Sequence, residues 1–155
     1  MKILVDADAC PVKDVIEAVA KQLQIPVVML IDTSHILNSE YSEIVTVSKS
    51  PDAVDFALIN RSAKGDIIIS QDYGVAAMAL AKGAYVLHPS GKIYDDKNIE
   101  IMLMERDIAK KCRRNGERIK GHIHKRTKED NERFKSAFIK TCKIALDRLE
   151  ENSGN

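Results

Sequence analysis

The sequence has no tryptophan, only three cysteines, and few prolines and glycines, with four and seven among 155 residues. The cysteines, Cys10, Cys112 and Cys142, lie far apart and form neither a CxxC pair nor a zinc-ligand spacing. That excludes a disulfide-stapled scaffold and a zinc ribbon, and it fits reduced thiols in a cytosol. A Cys-x5-Arg phosphatase loop at Cys10 needs arginine at position 16, which is Ile16. Cys10 precedes a predicted helix start, where a thiol pKa can fall, but a small half-buried side chain accounts for all three cysteines. No run approaches the ~20 apolar residues of a membrane span. The opening "MKILVDADAC" does not read as a signal peptide, because its apolar run is short and broken by carboxylates. Internal repeats, low-complexity tracts and domain-splitting linkers are also missing. These absences leave one ordinary cytoplasmic globular domain, with no membrane partner and enough chain for a real core.

The net charge of +1 hides an asymmetry. Residues 105–128 hold ten Lys/Arg against three Asp/Glu, net +7, and the rest of the chain is net −6. A basic segment is therefore set against an acidic body.

Short apolar runs alternate with helical patterns. "KILVD" (2–6), "PVVMLI" (26–31), "IVTV" (44–47), "DIIIS" (66–70) and "AYVL" (84–87) read as five buried strands. Pro11 suits the first position of a helix whose apolar face is Val12, Val15, Ile16, Val19 and Leu23. Ser50–Pro51 reads as the start of a second helix, with Asp52 serving its N-terminus. "YGVAAMALAKG" (73–83) reads as a third helix, stopped by Gly83. "HPSGKIY" (88–94) is a turn with room for one further short strand. Asn98 caps a fourth helix to about Cys112, and residues 113–126 read as a loop or arm. Thr127 and Asp130 form a capping box ahead of a long amphipathic helix carrying Phe134, Phe138, Cys142, Ala145 and Leu149. The pattern predicts an α/β domain: a mostly parallel five-stranded sheet with helices on both faces, plus a C-terminal amphipathic helix. The domain spans 1–151, and 152–155 should fray.

In open parallel sheets, ligands bind beyond the carboxyl ends of the strands, at the switch point. Asp6 and Asp8 follow the first strand, and Gln71 and Asp72 follow the fourth. With a strand order of 3-2-1-4-5, Asp6, Asp8 and Asp72 share one crevice, and Asp55, in the helix before strand four, can join them. Asp66 precedes its strand and falls at the wrong end. At an effective dielectric of about 20, one like-charged pair at 4 Å costs roughly 4 kcal/mol, and a cation reverses that sign. Hard oxygen ligands suit Mg²⁺ or Mn²⁺. Such a site hydrolyses phosphodiesters, with Asp6, Asp8 and Asp72 as catalytic residues and Asp6, Asp8, Asp55 and Asp72 as metal ligands. Asp8 and Asp72 could also simply cap the helices that follow them.

The expected partner is nucleic acid, RNA ahead of DNA. Arg113, Arg114, Arg118, Lys120, Lys125 and Arg126 would track its phosphates, although a charge run is often only a solvated face. His122 and His124 supply two ligands at most, too few for a metal site, and His35 and His88 carry no motif. Tyr73 and Tyr94 lie near the presumed crevice, where they could stack on bases.

In "DADACPV", "GDIIISQDYGVAAMALAKGA" and "RRNGERIKG" the sequence resembles the YaiI/YqxD family of bacterial proteins, over nearly the whole chain. The resemblance extends from there to PIN-domain nucleases, whose fold is a parallel α/β sandwich and whose clustered acids use divalent metal to cut RNA or DNA. It implies that Asp6 matches the acid ending the first strand and Asp72 the acid after the fourth. Asp55 would stand where PIN nucleases usually carry Glu, and Asp8 is particular to the family's own motif. Two other readings compete. "VDADAC" imitates the DxDx[TV] loop of haloacid dehalogenase-type phosphohydrolases, with Asp6 as nucleophile, Asp8 as acid/base, and Ser70, Lys82 and Asp95–Asp96 as later motifs. Position 10, however, is Cys, and no cap insertion is evident. The third reading is a nucleic-acid-binding protein without catalysis.

Overall fold

The computed structural model describes residues 1–116 and 125–154. Six strands form one sheet: β1 (Ile3–Asp6), β2 (Val27–Asp32), β3 (Glu43–Val47), β4 (Ile67–Ile69), β5 (Tyr85–Leu87) and β6 (Ile93–Tyr94). Their order is β3-β2-β1-β4-β5-β6, parallel except for the β5–β6 pair. The mostly parallel α/β class and the 3-2-1-4-5 order stand. The sixth strand is the addition to the expected five. It is two residues long and pairs antiparallel with β5 through a turn that Gly91 makes possible. Gly91 has φ +96, and a Cβ there would lie 3.0 Å from the backbone of Arg133.

Among the described residues five helices cover the sheet: α1 (Lys13–Leu23), α2 (Ala53–Arg61), α3 (Tyr73–Ala81), α4 (Asn98–Arg114) and α5 (Lys128–Ser153). Alternation along the strands decides which helix meets which face. Ile3, Val5, Val27, Met29, Ile67 and Ile69 pack with Ile16 and Val19 of α1 and with Phe134, Phe138 and Cys142 of α5. Leu4, Val28, Leu30, Ile68 and Val86 pack with Leu58 of α2, Val75 and Ala79 of α3, and Ile99 and Met102 of α4. Among the described residues, no helix is long and apolar enough to cross a membrane.

Three helix starts differ from the sequence pattern. Pro11 sits in a turn, and α1 begins at Lys13, its first bond running from Ile16 N to Val12 O. Pro51 also lies in a turn. Ser50 Oγ bonds Ser48 Oγ at 2.7 Å, and the N-cap position of α2 is Asp52, at φ 62. At α4, Asp95 Oδ1 accepts the amides of Lys97 and Asn98 at 2.9 and 2.7 Å, so Asp95 does the capping expected of Asn98. The Thr127–Asp130 capping box forms as expected.

Candidate functional site

The carboxyl edge of the sheet places the acids. β1 ends on Asp6, and β2, its neighbour, ends on Asp32. On the other side of β1, β4 runs into Ser70, Gln71 and Asp72. The loops at this edge are laced together. Gln71 Nε2 donates to Ala9 O at 2.7 Å, and Asp32 N donates to Asp8 Oδ2 at 3.2 Å. Asp72 is the N-cap of α3: its Oδ1 accepts Val75 N at 3.0 Å, and its own amide donates to Ser70 Oγ at 3.1 Å. Asp55 lies in the first turn of α2.

Electrostatics show which acids face one another. Burial pushes the Asp6 carboxyl up to about 6, and the charges of Asp55, Asp8 and Asp72 add to the rise. Asp55 is raised by burial, then by Asp72 and Asp52. Asp6, Asp8, Asp55 and Asp72 therefore lie near enough at this edge for their charges to act on one another. Their all-oxygen donor set fits a hard divalent cation such as Mg²⁺ or Mn²⁺, which would lower the repulsion among them.

Sequence reasoning missed a second group. His35 Nδ1 lies 3.0 Å from Asp8 Oδ1 and 3.3 Å from Asp32 Oδ1. One ligand atom from each of these three residues falls within 4.8 Å of the others. Ser34 holds Asp32 in place, its amide donating at 2.7 Å and its hydroxyl also bonding Oδ1. These bonds hold the Asp32 carboxyl below its ordinary range. The signal was available, since "VVMLID" ends on a carboxylate as "ILVD" does. Arg106 of α4 was also missed. A Cβ built on Gly74 would sit 3.1 Å from Asp72 Oδ1 and 3.9 Å from Arg106 Nη1, so both groups close on the same point.

A family model described as "Uncharacterized BCR, YaiI/YqxD family" matches residues 4–143. The chain belongs to the YaiI/YqxD family. A UPF0178 protein of Clostridium acetobutylicum is 59% identical over 141 residues, covering 89% of this chain and 94% of the relative. One from Lachnoclostridium phytofermentans is 57% identical over 148 residues, covering 92% and 97%. One from Ruminiclostridium cellulolyticum is 56% identical over 139 residues, covering 90% of each. No solved structure matches the chain significantly. Membership accounts for the shared sequence blocks and leaves the chemistry to be argued from the residues.

The remaining residues expected at the site are placed as follows. In this YaiI/YqxD family member, Arg113 and Arg114 lie exposed at the end of α4, and Lys125 is exposed just before α5. Arg126 is partly engaged: Nε donates to Asn131 Oδ1 at 2.6 Å and Nη2 to Pro89 O at 2.8 Å, pinning α5 to the turn after β5. Arg118, Lys120, His122 and His124 lie outside the described residues. His88 is held below its ordinary range by burial and by the charges of Arg126 and Lys92. Burial raises the Cys10 thiol, the opposite of activation. Lys82, the lysine of the phosphohydrolase reading, donates to Ile59 O at 2.7 Å. It sits at the C-cap of α3, a helix away from Asp72, and so at the far end of the sheet from Asp6. One groove, of about 980 Å³, runs between the β5–β6 turn and α5, past Lys92, Glu129 and Arg133. It is open and gathers no convergent set of reactive groups, so the carboxylate edge is the better candidate.

Proposed function

We propose that the crevice at the carboxyl edge of the sheet is a cation-dependent phosphodiesterase site acting on RNA or DNA. The observation that carries the reading is the Asp6 carboxyl, lifted to about 6 by its burial first and then by the charges of Asp55, Asp8 and Asp72. A chain folding for stability alone gains nothing by crowding four like charges at one strand end. Asp6, Asp55 and Asp72 would hold Mg²⁺ or Mn²⁺, with Asp8 completing the set. The bound cation would neutralise phosphate charge and lower the pKa of a water. Asp8, whose Oδ2 accepts the Asp32 amide, would take the proton from that water. The resemblance to PIN-domain nucleases supports the same chemistry. The placement of Lys82 weighs against the phosphohydrolase alternative.

The test is an incubation of single-stranded RNA, structured RNA and DNA with the protein, each with Mg²⁺, Mn²⁺ or EDTA. Polymer cleavage that needs the metal and falls by about 100-fold or more in Asp72→Asn is the expected result. Turnover of a simple phosphomonoester without polymer cleavage would move the reading to the phosphohydrolase. Binding without turnover would leave a nucleic-acid-binding protein.

Binding is separable from cleavage. Arg113 and Arg114 lie at the exposed, cationic end of α4, free to meet phosphates. In EDTA, log affinity for single-stranded nucleic acid should fall with log salt at about −0.7 per phosphate contact. Arg113→Ala with Arg114→Ala should make that slope shallower by up to about 1.4. Equal slopes would assign the two arginines to solvated surface.

A further inference from the structure

Two donors near Asp72 make no hydrogen bond in the described structure. Tyr94 is 2% exposed, yet its hydroxyl has no hydrogen bond. Arg106 Nε is shielded from solvent and also makes none, although it pairs loosely with Asp107 Oδ1 at 3.9 Å and the rest of its side chain is 36% exposed. Buried donors are rarely left unserved, because their lost hydration is not repaid. Both of these belong to the crevice. The Tyr94 ring packs edge-on against Tyr73, the first residue of α3, with centroids 5.9 Å apart. Its hydroxyl feels the charge of Asp72. The Arg106 guanidinium closes on the same point as Asp72 Oδ1, over Gly74, where there is no Cβ to block approach. Asp72 bonds neither donor, its Oδ1 accepting Val75 N instead.

An acceptor brought by a ligand would serve both donors. It must meet one neutral donor, one guanidinium and the N-terminal end of α3, a combination that fits a phosphoryl group. We propose that Tyr94 and Arg106 form the phosphate-binding wall of this crevice, taking the non-bridging oxygens of a phosphodiester beside Asp72. This rests on the phosphodiesterase reading and names the residues that hold its substrate. The guanidinium would offset the repulsion between an incoming phosphate and the carboxylates, and the Tyr94 hydroxyl would fix one oxygen.

The experiment measures binding, so it stands apart from cleavage. Calorimetric titrations with inorganic phosphate, and with a short single-stranded RNA carrying either a 5′-hydroxyl or a 5′-phosphate, are run in Mg²⁺ and in EDTA. Wild type is compared with Tyr94→Phe and Arg106→Gln. Wild type should bind phosphate and both oligonucleotides, and each variant should bind about tenfold or more weakly. Binding of the 5′-phosphate oligonucleotide alone would replace the diester by a terminal phosphate. Tyr94→Phe should keep or raise the ligand-free melting temperature, because it removes an unpartnered buried hydroxyl. Equal affinities in wild type and Tyr94→Phe, no phosphate binding by wild type in either buffer, or a melting temperature several degrees lower in Tyr94→Phe would each overturn the inference. Phosphate binding lost in Tyr94→Phe, in a protein whose melting temperature ignores Mg²⁺ and that cuts no polymer, would sink the phosphodiesterase reading and leave the phosphate wall standing.

Discussion

Asp6→Asn should stabilise the metal-free protein at pH 7 and abolish its thermal response to Mg²⁺ or Mn²⁺. The Asp6 carboxyl rises from its ordinary 3.8 to about 6, with burial the largest cause and the charges of Asp55, Asp8 and Asp72 following. The folded pKa lies above the unfolded one, so between about 4 and 6 the folded state binds more protons than the unfolded state. Stability from this group is fully present below about pH 4 and lost as pH rises through 6. The rise corresponds to roughly 3 kcal/mol at pH 7, which partial exposure and screening reduce to about 1–2 kcal/mol. Asparagine is isosteric and uncharged. In EDTA at pH 7, Asp6→Asn should melt about 3–6 °C higher than wild type, and that gain should vanish near pH 4. Metal reverses the comparison. A cation that binds only the folded state adds stability with concentration, by about 2.7 kcal/mol at a hundred times its dissociation constant. Wild type should show that rise and Asp6→Asn should not. Melting curves at pH 4 and pH 7, each with EDTA and with Mg²⁺, check all of this. An equal metal response in the two proteins would remove Asp6 from the site.

The sequence exposed the sheet and half of the crevice for one physical reason: parallel strands buried on both faces must be apolar throughout. "ILV", "VVMLI" and "III" are such runs, and whatever polar residue ends them marks the ligand-binding edge. Asp6 and Asp72 were legible on that ground. Asp55 was a weaker inference, since an acid in a first helical turn also suits the helix dipole. Asp32 obeys the strand-end rule, but Ser34, Asn38 and Ser39 after it give this stretch the composition of a surface loop. His35 has no local signal. Its meeting with Asp8 depends on how the loop after β2 folds back over the loop after β1. Arg106 is one charge among many on α4, and only the packing of α4 beside α3 directs it toward Asp72. β6 was legible only as room for one short strand within 88–94, because two residues carry no period and its pairing depends on the turn through Gly91. Pro11 and Pro51 follow the general preference for helix starts, but here each occupies the turn before the helix, where a residue without an N–H costs no hydrogen bond.

The largest loss of stability should come from Phe134→Ala, at the opposite wall of the molecule from α3. Phe134 is 0% exposed and stacks on Phe138 at 5.4 Å and 15°. The pair fills the space between α5, α1 and the sheet face formed by Ile3, Val5, Ile67 and Ile69. Removing a buried phenyl leaves a cavity that flanking strands cannot close, and costs about 3–5 kcal/mol. For a domain of this size that is a fall of roughly 10 °C in melting temperature. The position also bears on the site. The first turn of α5 holds the Thr127–Asp130 capping box, and Arg126 just before it pins the turn after β5 through Pro89 O. A Cβ on Gly91 in that turn would lie 3.0 Å from the Arg133 backbone, one residue from Phe134. Thr127→Ala, which removes only the cap, should cost about 1 kcal/mol and serves as the scale. Denaturant midpoints of wild type, Thr127→Ala and Phe134→Ala give the comparison. If Phe134→Ala costs no more than Thr127→Ala, α5 is an appendage, and the β1–β4 core is complete without it. If the loss is several times larger, the C-terminal helix is one of the two layers that hold the strand bearing Asp6.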